Sequence, residues 1–574
     1  MVTACFRILI FIISVLGTWE LVRRLLNIHV SFIPGLTVAI HVTILFFGGL
    51  WNLLPETAYI LCVAGIAAFV VAAVRSKGIS FLRHYIHPAY LFLFIFAFIM
   101  LVVLHGRVFV SYDNFSHWAL ALKCMLRTDR YPNFLDRIIF FKEYPLGSTT
   151  FIYYVCHLTV IREDVQMMVQ AYMIIVSMMP LFARLEKNRL AGSVVIYAAA
   201  NFFMMFCVSP VNLYVDTLLA LVSASGLLYA SYYRNAVDRR TFLPVMFYMI
   251  QILQIKNSGV FFAAVAALYI VFEIRRKGQA AVRIPCALAP FFTVVLWHKH
   301  CAYVMEKAEH SKHAMTFSNY KAIFGEKTAE DIENIIHASV KESLTYKGTL
   351  VTALMSALIG IIIFFLCREY LGYYRRIVIM CVLVYAAYQS GVTAMYVFSM
   401  PLNEAVRLAA FERYTKTILI FLLYLMLASL MRAISASLLS RMSLMGVAAL
   451  SACLFFGHMY LSSGKIHTIF RLKEDAGRSE IRSWLDSVRR DYHIPEGKTY
   501  TLLTTEEDSD YSYWLMRYLF FSPDVISKAV KDSDYLDSIS SDYILVYDRD
   551  NELINDWITE HYPNQVGKSV IYTR

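Results

Sequence analysis

Charge is scarce in this sequence. Only 17% of its 574 residues are Asp, Glu, Lys or Arg, against 59% hydrophobic, with a mean hydropathy of +0.55. A soluble multidomain protein of this length needs far more polar surface, so that class is excluded. Nucleic-acid binding is excluded in the same way. The net charge is +11, yet no basic stretch is interleaved with aromatics on a polar face. Also missing are CxxC pairs, a glycine-rich phosphate loop, HExxH and GxSxG, which leaves ATP-driven, zinc-protease and serine-hydrolase chemistry without support. The ten cysteines avoid the C-terminal tail and lie almost entirely in apolar runs, where they read as small core residues rather than a disulfide or metal framework. No internal repeat and no low-complexity stretch interrupts the chain.

What the chain does have is long apolar runs. Tyr90–Leu104, Val194–Val208, Leu354–Cys367 and Thr417–Leu430, with their flanks, approach the roughly 18 or more residues that cross a hydrocarbon core. Buried strands of a soluble α/β fold would give runs of about 4–8 residues instead. About 14 spans are predicted, at 5–21, 31–51, 56–74, 88–108, 165–184, 191–208, 216–233, 241–255, 258–274, 284–300, 349–367, 376–397, 414–431 and 443–461. The first carries Arg7, lacks a small-residue cleavage site and runs into Trp19-Glu20, so it reads as a retained anchor.

Basic residues gather at span ends: Arg23/Arg24, Arg75/Lys77, Arg184/Lys187/Arg189, Arg234/Arg239/Arg240, Arg275/Arg276/Lys277, Arg368/Arg375/Arg376 and Arg432/Arg441. Placing these inside puts the N-terminus and everything after the last span outside. The apolar segment Leu146–Ile161 then has to be interfacial or re-entrant, because a crossing there would invert every later cluster. The expected fold is an all-α polytopic membrane protein with a small C-terminal α/β domain on the extracytoplasmic side of the plasma membrane. Its parts are extra membrane helices at 1–87, a core at 88–462 and the tail domain at 463–574.

Three outside segments are long: about 108–146, about 300–347, and the tail from about Ser463. In the tail, Thr499–Thr505 and Tyr543–Tyr547 read as strands, and Tyr511–Phe521 and Asn551–Tyr562 as amphipathic helices. In the first loop, Phe115, Trp118, Leu122 and Met125 recur at helical spacing, which predicts a helix lying on the membrane surface.

Candidate chemistry sits on the outer side. Asp113 falls where the fourth span meets the loop helix, a place where Asp also serves as an N-cap. His117, one turn later, could bond to it or could simply fill the amphipathic face. Glu143, in Phe141-Lys142-Glu143-Tyr144-Pro145-Leu146-Gly147, precedes a proline that holds Tyr144 extended. Asp216 opens a span, where an ionisable group is costly unless capped, paired or functional. Lys256, in Ile255-Lys256-Asn257-Ser258-Gly259, and Arg413, in Phe411-Glu412-Arg413-Tyr414, are outer-side cations that either snorkel or meet an anion. Carboxylates and cations on one apolar face suit transfer of a group from a phosphate leaving group to a hydroxyl. A carboxylate is then the general base, and Lys or Arg receives the departing phosphate.

At these positions the sequence resembles the GT-C superfamily of polytopic glycosyltransferases, and is similar to the protein mannosyltransferases and the lipid A aminoarabinose transferase. The resemblance covers roughly residues 88–435. An acidic residue opens the first external loop (Asp113), an acidic-x-Pro-type motif closes it (Glu143-Tyr144-Pro145), an aspartate begins a later span (Asp216), a Lys-containing turn follows (Lys256 to Gly259), and Arg413-Tyr414 precedes a late span. The family's loop proline pair is Tyr144-Pro145 here, and three spans precede the first core helix. The resemblance implies an inverting transferase using a polyprenyl-phosphate-linked sugar and an extracytoplasmic acceptor. Asp113, Glu143 and His117 would be catalytic, Lys256, Arg413 and Lys142 would bind the donor phosphate, and Asp216 would bind acceptor or metal. A divalent cation, Mg or Mn, is left open, since some relatives use one and others do not.

Other classes fit less well. A transporter or flippase calls for charges buried mid-span or paired broken helices in two related halves, and neither is present. A surface-polysaccharide polymerase or ligase shares the donor and differs in acceptor. A non-catalytic scaffold needs none of the outer-side charges.

Overall fold

The computed structural model describes residues 2–141, 143–207, 210–236, 238–304, 317–437, 439–461, 476–508 and 510–573. It divides into two compact units, one formed by Met1–Val108, Met125–Tyr131 and Glu143–Leu472, the other by Phe109–Cys124, Pro132–Lys142 and Lys473–Arg574.

The first unit is helical. Each of the fourteen predicted apolar stretches contains helix. Among the described residues, nine helices are long and apolar enough to cross a membrane, and the rest, such as Pro88–Leu104 and Asp216–Tyr232, are shorter or more charged. Phe411–Ala436 lies at the centre of the packing, almost entirely buried from Thr417 to Met431, with Asp216–Tyr232, Lys347–Leu366 and Arg368–Phe398 against it. A helix apolar all round is what a fully enclosed position demands. The segment predicted to be interfacial or re-entrant forms the helix Gly147–Leu158. Nearly all of that helix is buried against Ile33–Leu50, Glu163–Met178 and Pro244–Ile255. At 1.5 Å per residue it is about 18 Å long.

The second outside segment is also ordered where it is described. Thr328 and Asp331 form a reciprocal capping box that starts the helix Ala329–Thr345. Beside it, Lys327 is buried and donates to the carbonyl oxygens of Tyr396 (3.0 Å), Val397 (2.7 Å) and Met400 (2.7 Å). Those carbonyls end the long helix Arg368–Phe398, where a cation satisfies orphan acceptors and complements the dipole.

The second unit holds a four-stranded sheet, with β1 Tyr500–Thr504, β2 Val525–Ala529, β3 Tyr543–Val546 and β4 Val570–Tyr572 in the order β2-β1-β3-β4. β1 runs parallel to both β2 and β3, with Tyr500 opposite Val525 and Tyr543, and β4 runs antiparallel to β3. Leu503, Ile544, Val546 and Ile571 from the strands close a core with Ile554, Trp557 and Ile558 from the helix Glu552–His561. The predicted tail elements are therefore present, and β2 and β4 are additional. The onset of the tail near Ser463 lies outside the described residues.

The first outer loop is part of this same unit. Its segment 109–124 is helical from Tyr112 on, with a π turn at Asn114–Trp118 directly after Asp113. Phe115, Trp118, Leu122 and Met125 are buried in protein rather than laid on a membrane surface. The partner of Phe115 is the tail helix Tyr511–Phe520, whose Tyr511 and Tyr518 rings lie 5.9 and 5.3 Å from it.

Candidate functional site

In the first unit three predicted site residues converge. Asp216 is the first residue of its helix, and its carboxylate is 4% exposed. Lys256 Nζ lies 2.8 Å from Oδ1 and Arg413 Nε 3.3 Å from Oδ2, so each oxygen faces one cation. The backbone explains how Lys256 arrives there. The helix Pro244–Ile255 stops at Lys256, which is extended (φ −162°, ψ 153°), and a new helix begins at Gly259. A Cβ on Gly259 would sit 2.2 Å from the Ile252 carbonyl oxygen, so only glycine allows so tight a turn. Arg413 stands in the first turn of Phe411–Ala436, behind Ala410 in the left-handed region (φ +61°).

Aromatic rings back both cations. The Tyr414 ring centre is 5.0 Å from Lys256 Nζ, and that of Tyr214 is 5.2 Å from the Arg413 guanidinium. Gln170 Nε2 holds the Tyr214 carbonyl at 3.0 Å. The formal charges of Asp216, Lys256 and Arg413 sum to +1.

The motif that closes the first loop reaches the same neighbourhood. Gly147 packs so tightly on Gln254, two residues before Lys256, that a Cβ would meet the Gln254 carbonyl oxygen at 2.7 Å. Trp297 Nε1 donates to the Glu143 carbonyl at 3.0 Å, and the Glu143 carboxylate acts electrostatically on Cys301 and Tyr320.

Asp113 and His117 belong to the second unit, and Lys142 lies outside the described residues. Asp113 occupies the N-cap position before the π turn but makes no side-chain capping bond. π turns inside helices recur at functional sites. His117 is buried against Trp118 (4.4 Å between ring centres) and Phe141 (6.0 Å). Burial pushes its imidazole down to about 3, so it is neutral at ordinary pH.

Arg517 of the tail helix fixes the second arm of the loop. Its Nη1 donates to Tyr513 Oη (2.9 Å) and the Pro523 carbonyl (2.7 Å), and its Nη2 to the carbonyls of Ile138 (3.0 Å) and Arg137 (3.3 Å). Replacing it with methionine is expected to speed hydrogen exchange in 132–142 at least about tenfold, about 1.4 kcal/mol. Exchange in Asp216–Tyr232 should not change. Mass spectrometry of the exchanged peptides checks this, and equal protection of 132–142 in the variant would show that Arg517 does not hold the loop.

Asp164 and Asp129 are among the buried or half-buried carboxylates that were not singled out from the sequence, as are Glu20 and Glu273. Asp164 is paired with Arg162 and accepts the Gly106 N–H at 2.8 Å. Asp129, at φ +53°, accepts from Tyr153 Oη at 2.7 Å and faces His157 Nδ1 at 3.3 Å. Asp164 gave a sequence signal, an acid in the first turn of an apolar helix, which reads as an ordinary dipole partner.

Among the described residues no group of three or more His, Cys, Asp or Glu side chains is disposed to hold a metal ion. Asp216 in particular has both oxygens turned to cations, which does not fit the role of metal ligand. No family model, curated protein or solved structure matches the chain.

Proposed function

We propose that this chain is a membrane glycosyltransferase of GT-C type. It moves a sugar, with inversion, from a polyprenyl-phosphate donor to an acceptor on the extracytoplasmic side of the plasma membrane. In this reading all fourteen apolar helices thread the bilayer, and the loop and tail lie outside. The observation that supports it best is the convergence of Lys256 and Arg413 on the single carboxylate of Asp216, backed by tyrosine rings. A donor phosphate entering there meets two cations already oriented, and Asp216 holds them in place until it arrives. A carboxylate takes the proton of the acceptor hydroxyl as its oxygen attacks the anomeric carbon, the role the resemblance gives to Asp113. The carbon–oxygen bond to phosphate breaks, and the electron pair leaves on the phosphate oxygen, where the cations stabilise it.

The test is release of free polyprenyl phosphate by purified chain, offered a panel of polyprenyl-phosphate sugars with mixed cell-envelope acceptors. Wild-type chain is expected to release it from one donor class. Lys256→Met is expected to raise the donor KM about tenfold or more, the loss of one charge-assisted contact to phosphate. No release from any donor by folded wild-type chain removes the transferase reading.

A further inference from the structure

At the other end of the same helices lies a second group of cations. Arg413 and Arg432 are 19 residues apart on Phe411–Ala436, which sets them about 28 Å apart along the axis. The Arg432 guanidinium sits between the rings of Tyr370 and Tyr373, 5.4 Å from each centre. Arg184, at the end of the short helix Met179–Arg184, lies 5.0 Å from the ring centre of Tyr232 and donates one bond, from Nη2 to Ser231 Oγ at 3.2 Å. The main electrostatic neighbours of Arg184 are Tyr373, Arg432, Tyr232 and Tyr269, and none is a carboxylate. Four packed elements thus bring two like charges into each other's field.

Both arginines are half-buried. Among the described residues, that bond to Ser231 is the only hydrogen bond either guanidinium makes to protein, and neither forms an ion pair. Tyr370 and Tyr373 likewise give their hydroxyls no protein partner among the described residues. The acids nearby, Glu186 and Glu273, act on Tyr232 and Tyr269, and neither is among the main electrostatic neighbours of Arg184. Half-buried charges normally come paired and with their donors satisfied, because desolvating them otherwise is costly. Here the missing partner is an acceptor-only group carrying negative charge, small enough to sit between two planar forks.

We propose that Arg184 and Arg432, with the hydroxyls of Tyr370 and Tyr373, form a binding site for a phosphate group. Phosphate matches the guanidinium geometry, since its charged oxygens accept from both forks and have lone pairs left for the tyrosine hydroxyls. The phosphate can come from an anionic phospholipid headgroup or from solution. The site is separate from the Asp216 cluster and does not depend on the transferase reading.

The test uses the full chain, first in neutral detergent with inorganic phosphate, then in nanodiscs of phosphatidylglycerol or phosphatidylcholine. Affinity is read from ligand-dependent unfolding shifts and from lipid retained in native mass spectrometry. Wild type is expected to bind, and the Arg184→Gln, Arg432→Gln double variant to bind at least about tenfold more weakly. The same binding should persist in Lys256→Met, which separates it from the Asp216 cluster. Binding of inorganic phosphate in detergent identifies a soluble ligand, and binding confined to phosphatidylglycerol identifies a lipid headgroup. If the double variant does not fold, Arg432→Gln alone carries the comparison, since Arg432 has no hydrogen bond to lose among the described residues. Equal affinity in the variants, or no binding of either probe by wild type, overturns the proposal.

Discussion

Asp216→Leu is expected to destabilise the chain by about 3–5 kcal/mol, the usual consequence of removing one partner from a buried ion cluster. The substitution leaves Lys256 and Arg413 facing each other across an apolar gap. Lys256 can shed its proton to escape that position, but Arg413 cannot. The reverse change is milder. Lys256→Met leaves Asp216 paired with Arg413, so a loss of about 1–3 kcal/mol is expected. Reversible unfolding in mixed micelles measures both. A further consequence separates structure from binding. With Asp216 gone the cluster carries two positive charges, so added inorganic phosphate should restore stability to Asp216→Leu more than it stabilises wild type. An Asp216→Leu chain as stable as wild type would mean that the carboxylate is not what holds the two cations.

Why this cluster was only half legible is a matter of what sequence records. Asp216, Lys256 and Arg413 each stood out alone, because a charge beside an apolar run is costly and therefore informative. Their pairing was not readable, since the partners of Asp216 lie 40 and 197 residues further on and hydropathy carries no distance between helices. The sequence suggested carboxylates on early loops opposed to cations on later ones, whereas the fold uses one of those carboxylates to hold the cations. Gly259 was visible as a turn residue, yet the reason for it, the Ile252 carbonyl at its back, is a property of the folded backbone.

The first loop shows the same limit from another side. The spacing of Phe115, Trp118, Leu122 and Met125 correctly announced a helix with an apolar face. Periodicity says that a face seeks an apolar neighbour, and does not say whether that neighbour is lipid or protein. The protein neighbours of Phe115, at Tyr511 and Tyr518, are about 400 residues away in the chain. In the tail, β1 and β3 were readable because they are central and apolar. β2 alternates between exposed and buried at its edge position, and β4 has only three residues, too few to make a pattern. The helices of the membrane unit were the most legible part, because length and hydropathy together leave few alternatives to a span.

The largest effect on activity is expected at Asp113. Asp113→Asn keeps the size of the side chain and its place before the π turn, so the fold should survive. What it removes is a base. General-base assistance contributes about 10²–10⁴-fold, so polyprenyl-phosphate release by the variant should fall by that factor in kcat with the donor KM little changed. Lys256→Met should do the opposite and act mainly on KM, because it touches the phosphate and not the acceptor. His117→Ala separates the third residue. A histidine held neutral by burial against Trp118 and Phe141 is a poor proton acceptor near pH 7. Its loss should therefore lower activity without moving the pH profile, whereas a catalytic His117 would take an acid limb of that profile with it. If Asp113→Asn turns over like wild type while Lys256→Met still loses donor affinity, the phosphate site stands and the base must be sought elsewhere, with Glu143 the first residue to replace.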